Sequence, residues 1–273
     1  MVPTHYTGCV RTPYLDELDA RVPAGVLIGW TGRLVVNAEI SSDEARAWSQ
    51  AVGGRRPLLW DNTPVNDALM ASRLRAGPLR GRDPGLVPYV GGYLANPMVQ
   101  AAASLPALLS AAAWLRGGDP YEAWLEAVGD QRVLAEGCDS EVPIELGRRL
   151  VAGRDGAAGD LRTWLEEAVL CRAGAWGDAV GPWVSQLHRE ARVCLAALDA
   201  LEMSPEERPR KAAEVFVSWW GVRSLGVEVL GGRGGITAGM GQDGETEWVT
   251  DPSTYIAPAS LTDLLVAEVA ARL

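Results

Sequence analysis

The sequence predicts an α/β fold: half of a (β/α)8 barrel of the TIM type, four βα units long, followed by an α-helical bundle. Three observations lead there. Up to about Arg116, short apolar runs alternate with helical stretches. The runs are apolar on consecutive residues, the pattern of parallel strands buried on both faces. Beyond Met98 the texture turns helical, with Trp and Leu stripes at helical spacing. A full barrel takes eight strands and about 250 residues, so four units make half of one.

Val2–Tyr6 reads as the first strand and Tyr14–Arg21 as its helix. Val26–Trp30 is the second strand, with its helix over Ser41–Val52. Ser41 and Glu44, three residues apart, form a capping box at the start of that helix. Leu58–Trp60 is the third strand, followed by a helix over Asp67–Leu74. Leu86–Tyr93 is the fourth and leads into Met98–Leu115. That stretch is mostly alanine and is broken by Gln100 and Pro106, so it predicts a buried helix rather than a membrane span.

In the bundle, Leu161, Trp164, Leu165, Ala168 and Val169 form one apolar face. Trp183, Leu187, Ala191, Cys194, Leu198 and Leu201 form another, with His188 beside it in a structural role. Ser204-Pro205-Glu206-Glu207 predicts a capped helix start with Pro at the first position. The segment Gly231 to Gly239 lacks the Lys-Ser/Thr pair of a phosphate-binding loop and reads as a loop or hairpin. Ser260 and Asp263 cap a last helix through Leu261, Leu264, Leu265 and Val269. The expected divisions are residues 1–116, 117–202 and 203–273.

The 273 residues carry a formal net charge of −10, which disfavours contact with a phosphate backbone and argues against a nucleic-acid partner. Lys211 is the sole lysine. Cys9, Cys138, Cys171 and Cys194 lie far apart without CxxC spacing, and His5 and His188 are the only histidines. No metal site or disulfide framework is expected from that set. The N-terminal residues lack an apolar signal segment, so a cytoplasmic location without membrane contact is expected.

Each run ends in polar or aromatic residues: Tyr6, then Thr31 and Gly32, then Asp61 and Asn62, and Asn96 after the fourth. Any one of these can be a turn cap. Parallel α/β proteins carry their sites at the C-terminal strand ends, and the recurrence at one edge points to a pocket.

The residues of this edge belong to longer motifs. Trp60-Asp61-Asn62-Thr63-Pro64-Val65-Asn66-Asp67, then Gly77-Pro78-Leu79-Arg80-Gly81-Arg82, then Asn96-Pro97-Met98 resemble the second half of the barrel of family 84 glycoside hydrolases. That family comprises β-N-acetylglucosaminidases, including O-GlcNAcase and hyaluronidase-like enzymes. Val2-Pro3-Thr4-His5-Tyr6 resembles its Pro-Thr-Glu-Tyr strand, with His5 in place of the acid, and Trp30-Thr31-Gly32 resembles the next. Asp119-Pro120-Tyr121 with Trp124 is similar to the helices after the barrel, and Gly181-Pro182-Trp183-Val184 to the helical stalk. The likeness runs from residue 2 to about residue 202.

The resemblance implies an N-acetylglucosamine-containing glycan or glycoprotein as ligand, and no cofactor. Tyr6, Thr31 and Trp60 match residues around the sugar's 2-acetamido group, with Val35 beside them. An acetamido group needs aromatic packing for its methyl and a hydrogen-bond partner for its amide. Asn62, Asp67 and Asn96 match residues that bind the sugar and its hydroxyls. Family catalysis is substrate-assisted and uses two adjacent aspartates, which precede the Pro-Thr-Glu-Tyr strand. The acidic pairs here, Asp16-Glu17, Asp43-Glu44, Glu166-Glu167 and Glu206-Glu207, all fall in predicted helices. No catalytic residue is therefore assigned, and Asp61 and Asp67 are the only carboxylates near the expected pocket. A split hydrolase, a non-catalytic N-acetylhexosamine-binding or protein-interaction module, and a homodimer closing a full barrel all fit this sequence. A complementary half-barrel chain is the corresponding partner.

Overall fold

A computed structural model describes residues 1–67, 70–139, 141–223, 226–231, 237–240, 246–249 and 260–273. Its first layer is a parallel sheet in the order β1 (Gly29–Trp30), β2 (Leu58–Pro64), β3 (Gly92–Asn96). Leu58 pairs with Gly29 and Gly92, and Leu59 with Trp30 and Tyr93, so the three strands share one register. The order follows the chain, consecutive strands lying side by side.

Two helices flank the sheet early in the chain. Helix α1 (Pro13–Arg21) starts on Thr12, whose side chain accepts from the Leu15 N–H, with Pro at the first helical position. Helix α2 (Ser42–Ala51) carries the expected capping box between Ser41 and Glu44. Both bury a stripe against the sheet: Leu15, Leu18, Trp48, Val52, Trp30 and Leu59 lie in one apolar core.

Four sequence expectations are corrected here. Val2–Tyr6 is not a strand among the described residues. Its Met1 carbonyl accepts from the Gly29 N–H at 2.6 Å and its Tyr6 carbonyl from the Thr31 N–H at 2.9 Å. Five residue steps on this side face two on the other, and Pro3 has no N–H to give, so the segment bows off the ladder. The Leu86–Tyr93 run is a 3₁₀ segment, Pro84–Tyr89, and only its end enters β3. Pro84 and Pro88 break the ladder, and Asp83 caps the turn through the Gly85 N–H. No helix is described over Asp67–Leu74; Met70 donates to the Asp67 carbonyl and Arg73 to the Met70 carbonyl, two linked turns. Positions 68 and 69 lie outside the described residues. Finally, the helix after Ser204 begins at Arg208, and Glu206-Glu207 sits in the turn before it.

The second layer is helical: α3 (Ala101–Leu115), α4 (Pro120–Val128), α5 (Arg132–Asp139), α6 (Glu141–Val151), α7 (Ala157–Leu170), α8 (Gly181–Glu202), α9 (Arg208–Arg223) and α10 (Leu261–Ala271). The expected α7 and α8 stripes face each other: Leu161, Trp164, Leu165, Leu187, Ala191, Cys194 and Leu198 share one buried core. Cys171 falls one residue past α7, and its carbonyl lies 2.8 Å from His188 Nε2. Helix α3 joins the two layers, with Ala103 in the helical core and Ala111 and Trp114 in the sheet core. Ser260 caps α10 as expected. Thr237–Met240 (β4) begins inside the Gly231–Gly239 segment and pairs antiparallel with Thr246–Val249 (β5) beyond it; positions 232–236 lie outside the described residues. Among the described residues, no helix is long and apolar enough to cross a membrane.

Leu165 is fully buried where α7 meets α8. Leu165→Ala removes its methyl groups from a packed core and is expected to cost about 2–5 kcal/mol. Urea denaturation measures this, and a loss below about 1 kcal/mol contradicts the packing.

Candidate functional site

Alternation along β2 sets the site. Side chains two residues apart share a face, so Trp60 and Asn62 point to one side and Asp61 to the other. The half-buried ring of Trp60 meets Tyr6 with centroids 5.7 Å apart and a 35° tilt. Asn62 donates to the Val35 carbonyl at 2.7 Å and accepts from Asn96 Nδ2 at 3.0 Å. Asn96 closes β3 next to a register shift between Asp61 and Pro64. Such a bulge turns the end of a strand and re-aims its side chains.

Thr31 follows β1 and is 1% exposed. Its backbone N–H donates to the Tyr6 carbonyl, and its hydroxyl donates to the Leu34 carbonyl at 2.8 Å. Asn37 folds the loop after it: Oδ1 accepts from the Leu34 N–H, while Nδ2 donates to the Thr31 and Leu34 carbonyls. Gly32, at φ +107°, allows this approach, since a Cβ there would lie 2.7 Å from Asn37 Nδ2. Two groups of contacts result: Tyr6 meets Trp60 and takes the Thr31 N–H, while Asn62 joins Val35 and Asn96. Asp67, five residues past Asn62, is exposed and has no side-chain partner among the described residues.

The opposite face of β2 is electrostatic. Arg82 grips Asp61 with two bonds, Nε to Oδ2 and Nη2 to Oδ1, each 2.7 Å. Tyr93 also donates its hydroxyl to Asp61 Oδ2 at 2.9 Å. The remaining guanidinium donors reach the carbonyls of Ala38 and Arg80 at 3.0 Å and of Asn37 at 3.2 Å. Burial opposes the Arg82 charge, but the Asp61 carboxylate outweighs it and holds the guanidinium above its ordinary pKa. Burial, with the Asp61 charge behind it, raises the Tyr93 phenol far above its usual range, so it remains a donor. Asp61, read from the sequence as one of two carboxylates near the pocket, faces away from Trp60 and Asn62 and is fully engaged. Arg82, Tyr93 and Asn37 were missed. Period-two alternation at Asp61 and the Gly81-Arg82 step carry their signal: a Cβ on Gly81, at φ +65°, would lie 1.9 Å from the Ala38 carbonyl oxygen.

Cys9, half-buried after Tyr6, has its thiol pushed up to about 12, first by burial and then by the Glu44 charge, so it is no nucleophile at neutral pH. No group of three or more His, Cys, Asp or Glu side chains placed to hold a metal occurs among the described residues.

Residues 1–136 match the sequence model of a family described as beta-N-acetylglucosaminidase. Protein O-GlcNAcase of Rattus norvegicus and of Mus musculus are each 31% identical over 150 residues, which are 53% of this chain. The chain spans 16% of the length of these curated relatives. An aspartate-to-asparagine mutant of Thermobaculum terrenum O-GlcNAc hydrolase superposes with a TM-score of 0.71 at 18% identity, covering 98% of this chain and 60% of that one. The structure of CpGH84B gives 0.73 at 17% identity, covering 98% and 50%. At such identities the superpositions establish the fold, which is that of glycoside hydrolase domains. Over residues 1–136, about half of its length, the chain is family 84 glycoside hydrolase-like.

Arg82→Met strands the Asp61 carboxylate in the interior and is expected to cost about 3–5 kcal/mol in urea denaturation. Adding Asp61→Leu removes the stranded charge and should recover a large part of that loss. A double variant no more stable than the single one contradicts the pairing.

Proposed function

We propose that this chain supplies the N-acetylglucosamine-binding side of a β-N-acetylglucosaminidase-type site, and that its own carboxylates do not carry out hydrolysis. The observation that carries the reading is the shared face of Trp60 and Asn62, flanked by Tyr6 and Asn96. An aromatic wall beside fixed amides suits an acetamido sugar: the methyl lies on the rings, and hydroxyls bond to the amides. In this reading Tyr6, Thr31 and Trp60 surround the acetamido group, with Val35 at its side. Asn62, Asn96 and the exposed Asp67 take the hydroxyls. The relatives named O-GlcNAcase favour glycans or glycoproteins bearing this sugar.

Substrate-assisted hydrolysis needs one carboxylate to orient the acetamide and another to protonate the leaving oxygen. Asp61 is held by Arg82 on the other face, which leaves the exposed Asp67 as a single carboxylate where the chemistry needs two. That arrangement supports a non-catalytic sugar-binding role, or one completed by a second half-barrel. The half-barrel reading is supported by the parallel sheet itself: β3 is an edge strand among the described residues, with Leu94 exposed on it. A complementary chain or a second copy would cover such an edge.

Binding by one side of a pocket should be weak, around millimolar. Chemical-shift titration of the Trp indole signals should show N-acetylglucosamine perturbing Trp60 more than glucose does. Trp60→Ala should erase that preference, and Asp67→Ala should weaken binding by about 1.5–3 kcal/mol. Equal responses to both sugars, or none, overturn the sugar site.

The purified chain should release no aglycone from an aryl N-acetyl-β-glucosaminide, since general acid catalysis alone is worth about 10²–10⁴ in rate. Turnover that disappears in Asp67→Ala would assign hydrolysis to this chain.

A further inference from the structure

The segment around Glu228 lies beyond residue 136, where the family match ends, and it holds the far end of the loop that carries Asp67. Glu228 accepts from Arg73 Nε at 2.9 Å and from the Ser72 hydroxyl at 3.2 Å, one carboxylate oxygen for each. Its backbone N–H donates to the Ser72 carbonyl at 2.8 Å, and Arg73 and Glu228 form a parallel β-bridge. Trp183 of α8 donates its indole N–H to the same Ser72 carbonyl at 2.9 Å. Both charged side chains are largely shielded, at 15% and 21% exposed, so the pair is less screened than a surface one.

This grip reaches Asp67 through the backbone. The Arg73 N–H donates to the Met70 carbonyl, and the Met70 N–H donates to the Asp67 carbonyl. The near end of the loop is tied both to its far end and outside it: Asn66 Nδ2 donates to the Arg73 carbonyl at 2.9 Å and to Gln100 Oε1 at 2.8 Å. Asp67 therefore sits between two anchors, and the second depends on Glu228. The Glu228 segment is itself stitched in place. The Leu230 N–H donates to the Gly137 carbonyl of α5, and the Leu261 N–H of α10 donates to the Leu230 carbonyl. Leu230 adopts φ +54°, left-handed for a non-glycine residue. Such a conformation persists only where its surroundings over-determine it.

We infer that Glu228 is a positioning residue for sugar binding: through Ser72 and Arg73 it holds the turn that presents the Asp67 carboxylate. The inference rests on the sugar-site reading above and adds to it a role for the C-terminal part of the chain.

The test is indole chemical-shift titration of the full chain with N-acetylglucosamine, in wild type, Glu228→Gln, Asp67→Ala and the double variant, with hydrogen exchange on the Met70 and Arg73 amides. Glu228→Gln keeps the size of the side chain but gives up its charge, and is expected to weaken binding about 3–10-fold, with every tenfold being 1.4 kcal/mol. Both amides should exchange faster. In the Asp67→Ala background the added effect of Glu228→Gln should vanish, because the two act through one contact. A merely structural residue would weaken the double variant as much as it weakens wild type. Unchanged affinity in Glu228→Gln, or full additivity with Asp67→Ala, overturns the positioning role while wild-type binding leaves the sugar site standing. No response of wild type to the sugar overturns both.

Discussion

Arg82 threads three separate stretches of chain onto one buried carboxylate. Its side chain meets Asp61 on β2, the carbonyls of Asn37 and Ala38 from the loop after β1, and the Arg80 carbonyl of its own loop. Every guanidinium donor has an acceptor, as burial of such a group demands. The pair need not add net stability over an apolar one. What it does is fix geometry: with Asp61 held on one face of β2, Trp60 and Asn62 must emerge on the other. The loop that Asn37 folds after Thr31 is pinned at the same point, so the aromatic and amide groups of the strand ends share one rigid frame.

That frame is coupled to the helical layer rather than resting on it. Leu74, Ala76 and Met98, which follow the strand-end residues, are buried with α5, α7 and α8 in the larger core. Trp124 donates to the Ala76 carbonyl at 2.7 Å and Trp183 to the Ser72 carbonyl at 2.9 Å, so indoles from α4 and α8 satisfy backbone groups of the loop after β2. The bundle thereby orders a segment that short strands alone would leave poorly held. Within the bundle, Glu136 is buried against Trp164 Nε1 and Arg132, a polar contact that fixes the angle at which α5 meets α7.

Legibility in the sequence followed the range of the forces involved. The α2 capping box and the α7 and α8 stripes are local patterns, and they stand where the spacing placed them. The ends of the apolar runs marked Tyr6, Thr31, Asn62 and Asn96, whereas Trp60 and Val35 were marked only by the resemblance of the motifs. The role of Asp61 was not legible. A carboxylate beside a pocket looks chemical in one dimension, and only its partner across 21 residues shows that it is occupied. The apolar run at Leu86–Tyr93 misled for a similar reason: hydrophobicity marked burial correctly, while Pro84 and Pro88 decided that the buried backbone would turn.

By itself, the sequence determined the α/β class, the helical second part, and the residues that gather at the strand ends. Periodicity and capping act over a few residues, so one dimension suffices for them. Tertiary structure alone decided that Val2–Tyr6 bows away from the ladder, that Asp61 belongs to Arg82, and that Glu228 reaches Ser72 and Arg73 across more than 150 positions. Those outcomes depend on which buried polar groups find partners, and burial sets that requirement only once the chain has folded around them.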